Sequence, residues 1–353
     1  INPMRGQNNI QGAGDSGAIP ASYPGFQAVV DPANQEKFRK LYGREIPAEV
    51  GITKVTALDR CGEQIRAMII DGENTVVSDP DRNHCEHALK SLDHLVVIDL
   101  FLTETGELAD VVFPAAGFGE ADGTCANTER RVQRLRAAVT PHGQAKPDWW
   151  IVSQLARRMG IDGFEYESAR DVFNELCGLS PIYAGLDWDR VENGEYQWPV
   201  PEKDHPGTPI LHEGEFTNGR GIFSVLSYRD PAETIDDDYP VWLTTGRRLA
   251  SYHTRTQTGR AHGIDYLLSE ETLEVHPEDV SAWGLEDGGW CELASRRGAV
   301  RVKVEATDRS PRGTVFCSFS FNDVPVNILT GSGYDPVTQT AELKVCPVKI
   351  SKA

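Results

Sequence analysis

A few short segments combine residue types suited to an anionic ligand. Gly72-Glu73-Asn74 closes an apolar run, and a glycine turn there lets backbone N–H groups come close to phosphate oxygens. The same tripeptide also reads as an ordinary strand-end turn. Thr245-Gly-Arg247 places a guanidinium, whose planar fork pairs two oxygens at once, either at a phosphate or in solvent at a strand end. His253 reads as a ligand contact or as a plain surface or core histidine. Glu129, Arg130 and Arg131 form a charge run that solvent alone could explain, and Asp335-Pro336 is a turn signal. The cysteines do not point to a metal. Cys61, Cys85, Cys125, Cys177, Cys291, Cys317 and Cys346 never fall in a C-x-x-C or C-x-x-x-C spacing, so this chain alone is expected to coordinate no zinc or iron–sulfur cluster. An odd, dispersed set fits reduced thiols better than a disulfide framework.

The elements that would position these groups are legible from periodicity. Residues 65–74, 95–101 and 109–116 are apolar runs, and 84–94 has helical spacing between the first two. Buried runs alternating with a helix predict a parallel, helix-covered sheet. Ligands bind such sheets outside the carboxyl ends of the strands. Gly72–Asn74, Asp99–Thr105 and the segment after Pro114 are thereby expected along one edge. Residues 148–160 predict a helix capped by Asp148, with Ile151, Leu155 and Met159 on one face and Gly160 as its stop. Between about 185 and 240, prolines 199, 201, 206 and 209 and the acid run 236–238 predict an irregular connector. Short strand patterns follow at 239–247, 290–308 and 313–321, with a hairpin turn at Ser295–Gly298. They predict a barrel or sandwich after a boundary near Asp238.

Composition narrows the classes. The chain has 353 residues, and 39% are hydrophobic, enough for a sizeable core of about two domains. That excludes a disordered chain or a disulfide-stapled module. No apolar stretch approaches the ~20 residues of a membrane-spanning helix. A formal charge of -18 repels phosphate backbones and anionic lipid, which argues against nucleic-acid or membrane-surface binding. The start, INPMRGQNN, has neither initiator Met nor signal-peptide character, and the chain is expected to be a piece of a longer polypeptide.

Order and joint spelling carry a resemblance. RGQNNIQGAGDSGAIP (5–20), IDGENTVVSDPD (70–81) and VVIDLFLTETGELADVVFPAA (96–116) resemble the molybdopterin-dinucleotide oxidoreductases. GTCANTERRVQ (123–133) with DWW (148–150) is similar to the branch of formate dehydrogenase alpha (catalytic) subunits. YPVWLTTGRRLASYHTRTQT (239–258), SRRGAV (295–300) and NILTGSGYDPVTQTAELKVC (327–346) resemble that family's carboxyl-terminal dinucleotide-binding domain. The fold implied is α/β. A parallel-sheet, Rossmann-like portion (1–238, incomplete at its N-terminus) would precede a six-stranded double-psi-type β-barrel (239–353).

The resemblance further implies a bis(molybdopterin guanine dinucleotide) cofactor on molybdenum or tungsten. Formate would be oxidised to carbon dioxide, with electrons leaving through a [4Fe-4S] cluster bound upstream of this segment. Implied partners are the missing N-terminal half of the subunit and an iron–sulfur or NAD-reducing subunit. Cytoplasmic location is the default expectation, and the segment alone is expected to be inactive. Residue by residue, Arg5 matches the arginine beside the metal and is the expected catalytic contact to formate. Gly72, Glu73 and Asn74 match the family's phosphate loop. Asp99 matches the carboxylate expected to accept the guanine N1–H and N2–H edge, with Thr103 beside it. Thr245, Arg247, His253 and Thr254 match the stretch facing pterins and phosphates, and Asn327 and Lys344 match further contacts. No metal ligand is assigned. Gly14, Ser320 and Ala341 depart from the usual family residues. Other readings are a related enzyme such as a nitrate reductase, or a non-catalytic paralogue.

Overall fold

The structure, a computed structural model, describes residues 6–353; Arg5 lies outside the described residues. Two compact units interleave along the chain. One takes the residues up to Thr53 together with Pro114–Val225, the other Lys54–Phe113 together with Leu226–Ala353.

The second unit begins with a small sheet in the order β1 (Ala67–Asp71), β2 (His94–Asp99), β3 (Val111–Pro114). β1 and β2 run parallel, with Ala67 opposite His94 and Asp71 opposite Ile98. The strand pattern of 95–99 is continuous because all five residues are buried, as a covered parallel strand requires. The covering helix is Arg82–Lys90, shorter than the spacing suggested. The side chain of Asp81 accepts the amide of His84 at 3.3 Å and so starts it. Its buried face, Cys85, Ala88 and Leu89, packs with Leu58, Ile70, Val76, Leu95 and Val97.

Six strands of the same unit form a closed barrel: β4 (Val241–Gly246), β5 (Thr272–Val275), β6 (Trp290–Ala294), β7 (Ala299–Ala306), β8 (Thr314–Ser318) and β9 (Cys346–Lys352). Around it the order is β5-β7-β6-β9-β4-β8, closed by pairing of β8 with β5. The β5–β7 and β4–β8 pairs are parallel and the other four antiparallel. Alternation fills the interior: Val300, Val302 and Val304 point inward while Ala299 and Arg301 stay exposed. The hairpin turn forms where expected, with the amide of Ser295 donating to Gly298 O at 2.9 Å. Closure leaves no sheet edge, and the loops at the barrel rim are free to carry side chains for a ligand.

The other unit holds an antiparallel sheet of Gly123–Ala126, Arg131–Leu135 and Tyr196–Gln197, packed with helices Ala169–Leu179 and Trp188–Asn193. Helix Trp188–Asn193 and strand Tyr196–Gln197 fall inside the span expected to be irregular; their apolar residues Trp188, Val191 and Tyr196 join this unit's core. The helix Asp148–Arg158 differs from expectation in detail. Pro147 is its cap and Asp148 its first residue, Ile151 and Ala156 are buried, and Met159 is exposed. Pro at the cap fixes φ before the first turn, so the acidic residue falls inside, where it still favours the positive helix end.

Candidate functional site

Every expected contact residue from Gly72 to Lys344 belongs to the second unit. At the carboxyl end of β1 the chain turns through Gly72, whose φ of +66° is left-handed and whose amide donates to Ile98 O at 2.9 Å. The turn is held from within. Asn74 donates from Nδ2 to Glu104 Oε2 at 2.7 Å and accepts on Oδ1 from Thr105 Oγ1 at 2.9 Å. Thr103 Oγ1 accepts the amide of Gly106 at 3.2 Å. The side chains of Asn74 and Thr103 therefore shape the loops, leaving Gly72 and the backbone around it as the exposed part.

Asp99 ends β2, buried beside Asp71. Its Oδ1 accepts the amide of Leu100 at 2.7 Å. Burial raises its pKa, opposed by the Leu100 and Phe101 amides and by the positive charge of Arg260. Arg260 itself lies over the ring of Phe101, 4.6 Å from its centroid.

At the rim of the barrel, Thr245, Arg247, His253 and Lys344 come together. Thr245 Oγ1 donates to Leu343 O at 2.5 Å, and Lys344 Nζ returns a bond to Thr245 O at 3.0 Å, fixing the end of β4 against the segment before β9. Lys344's pKa is lowered by burial and then by the like charge of Arg247. His253 is likewise lowered, by burial first and Arg247 second, with Glu73 pulling the other way. Its backbone is left-handed at φ +51°, and its ring meets Phe319 edge-on at 5.3 Å. Among the described residues, Arg247 and Lys344 form no ion pair with a carboxylate. Two neighbouring cations without a counter-charge, on a protein of net charge -18, are the electrostatic mark of an anion site.

Glu73 and His253 also share the wall of a cavity of about 270 Å³, with Lys54, Asp79, Ser332 and Leu343 among its other lining residues. Thr254 faces Thr256, Oγ1 to Oγ1 at 3.0 Å, and is not drawn into this cavity. Asn327 is buried and donates to Val77 O at 2.9 Å and Ser78 O at 3.2 Å, so its side chain ties a barrel loop to the segment after β1. Among the described residues no three His, Cys, Asp or Glu side chains converge to hold a metal ion.

Comparison with known proteins agrees with this layout. The family model "Molybdopterin oxidoreductase" matches residues 4–158, and "Molydopterin dinucleotide binding domain" matches 241–347, the barrel. The alpha subunit of F420-dependent formate dehydrogenase 2 from Methanococcus maripaludis is 44% identical over the whole of this chain. The chain belongs to the molybdopterin oxidoreductases.

Further relatives of this molybdopterin oxidoreductase chain are the F420-dependent formate dehydrogenase alpha subunit of Methanocaldococcus jannaschii, 43% identical over all of it, and formate dehydrogenase H of Escherichia coli, 34% identical over 99%. The chain spans 52%, 52% and 50% of these three relatives, about half their length. Among solved structures, acetylene hydratase from Pelobacter acetylenicus shares the fold, with a TM-score of 0.66 at 17% identity over 91% of this chain and 50% of that one.

The donor set fits the group such a family binds. A pyrophosphate needs cations, which the Arg247–Lys344 pair provides, and room to approach a backbone turn; the Gly72 N–H itself is taken by Ile98 O. A Cβ at Gly72 would meet nothing within 4 Å, so the space beside this turn is open. Sequence reasoning missed Lys54 and Arg260; each is a lone cation in its segment, and no spacing marks it. The charge run at 129–131 proves structural. Arg130, at φ +68°, donates to Thr208 O at 2.9 Å and Pro209 O at 3.1 Å, clamping the loop beyond Tyr196–Gln197.

Proposed function

We propose that this chain is part of the catalytic subunit of a formate dehydrogenase. The observation that carries the reading is 43–44% identity to formate dehydrogenase alpha subunits across the whole chain. The cofactor would be bis(molybdopterin guanine dinucleotide) with molybdenum or tungsten, and a [4Fe-4S] cluster would be held by another part of the parent polypeptide. When bound, that group would take up the two electrons released as formate loses its hydrogen and becomes carbon dioxide. Everything else falls to the protein.

Arg247 and Lys344 would hold phosphate oxygens, and the Gly72 turn, its own N–H held by Ile98 O, would let the Glu73 N–H approach the same end of the cofactor. Asp99 keeps one carboxylate oxygen on the Leu100 amide; the other would accept a guanine N–H. His253, held neutral by burial and by Arg247, can donate or accept one hydrogen bond without adding charge. Arg5 would grip both oxygens of formate with parallel N–H bonds, aligning its C–H. The product is uncharged and would be released from that grip. In this scheme residues 1–238 and 239–353 are the two modules. An external subunit would carry electrons to the acceptor, with F420 and NAD both to be assayed, and the protein would work in the cytoplasm.

The test uses a dye with the full-length subunit in two directions: reduction of the oxidised dye by formate and, separately, oxidation of the reduced dye by nitrate. Formate-dependent turnover is expected, and Arg5→Lys should lower kcat/KM for formate by about tenfold or more at unchanged metal and pterin content. Full turnover in Arg5→Lys, or loss of activity only through loss of cofactor, would overturn the clamp. Turnover with nitrate and not formate would overturn the assignment.

A further inference from the structure

Lys54 stands at the start of a one-turn helix, Lys54–Leu58, and reaches two carboxylates. Its Nζ lies 2.6 Å from Asp79 Oδ1 and donates as well to Glu73 Oε1. Ser78 Oγ lies 3.2 Å from Glu73 and 3.1 Å from Asp79, able to donate to either. Asp79 is buried, and Lys54, Glu73 and Asp79 all line the same cavity as His253. Glu73 follows the Gly72 turn directly. A phosphate-bearing ligand at that turn would therefore meet two carboxylates within a few residues of the amides meant to hold it. Like charges at a binding surface cost affinity steeply. Lys54 is the cation in contact with both.

We propose that Lys54 is a positioning residue for the anionic cofactor: it pins the Glu73 side chain against Asp79 and cancels its charge, so that a phosphate can approach the 72–74 turn without meeting a repelling carboxylate. The inference rests on the cofactor reading above. A merely structural Lys54 would act only through the buried Asp79, and the two roles separate experimentally. Removing the cation leaves Asp79 unpaired whatever Glu73 does, which lowers stability. Only the cofactor role makes the charge of Glu73 decisive.

The experiment uses the full-length subunit produced in a host that makes the cofactor, reading pterin and guanine nucleotide per polypeptide together with thermal stability. Lys54→Met should weaken cofactor retention roughly tenfold. Adding Glu73→Gln in the same chain should restore most of it while the melting temperature stays low. Lys54→Arg should remain loaded. Glu73→Gln alone, which keeps the Lys54–Asp79 pair, should still load cofactor and gives a readout even if Lys54→Met fails to accumulate. A fully loaded Lys54→Met, a double variant as empty as Lys54→Met, or an empty Glu73→Gln would overturn the inference. Wild-type subunit without pterin would instead overturn the cofactor reading, and this inference with it.

Discussion

Thr105 Oγ1 donates to Asn74 Oδ1 at 2.9 Å and accepts the amide of Val76 at 3.0 Å, so one hydroxyl locks the loop after β1 to the loop after β2. Both side chains are buried, and neither can exchange this bond for water. A buried polar group that loses its partner costs about 1–3 kcal/mol. Asn74→Ala and Thr105→Val should each lower unfolding stability by about that much. Because they share one bond, the double variant should lose less than the sum, by ~0.5 kcal/mol or more in denaturant titrations. Strict additivity would mean the two loops are held independently.

Asp71 gives a pH dependence with a definite sign. Its pKa is raised above 3.8, by partial removal from water first and by the charge of Asp99 second, although one side of the residue stays exposed at the strand end. The folded state thus keeps this proton at a pH where the unfolded chain has lost it. Its contribution is full below pH 3.8 and declines as pH rises through the raised value. Asp71→Asn removes that decline. Melting curves should show the variant more stable than the wild type at neutral pH, with the gap closing below pH 3.8. A gap that widens on acidification would contradict the assigned cause.

Gly72 tests the turn itself. Its φ of +66° disfavours any side chain, yet a Cβ would strike nothing within 4 Å, so the cost of Gly72→Ala is conformational alone. It should be about 1–2 kcal/mol of unfolding stability. Gly72→Asn should cost less, since Asn tolerates left-handed backbone. Equal losses would point to steric exclusion instead.

Much of the architecture was legible because it is periodic. The buried run 95–99 could only be a covered strand, and the alternation of Val300, Val302 and Val304 with Arg301 and Lys303 could only be a one-sided one. The site was legible in residue types but not in their partners. Arg247, Lys344 and His253 meet as cations or neutral ring around one rim. Asn74, Thr103 and Asn327 have the right chemistry for a ligand, yet their side chains are taken by Thr105, Gly106 and the Val77 and Ser78 carbonyls. Asn327 and Val77 are 250 residues apart, and such pairings leave no local trace. The grouping of 54–113 with 226–353 is invisible for the same reason, being long-range packing.

In the proposed function, this unit would hold an anionic pterin dinucleotide on the Arg247–Lys344 pair. The direct measurement is the pterin, guanine nucleotide and metal released from purified full-length subunit, compared with the Arg247→Ala, Lys344→Met double variant. The wild type should release pterin and guanine nucleotide in equal amounts, with molybdenum or tungsten alongside. The folded variant should retain about tenfold less of each, as expected when charge-assisted bonds to phosphate are lost. A wild type without guanine nucleotide, or a variant as fully loaded as the wild type, would mean that this pair does not hold the cofactor.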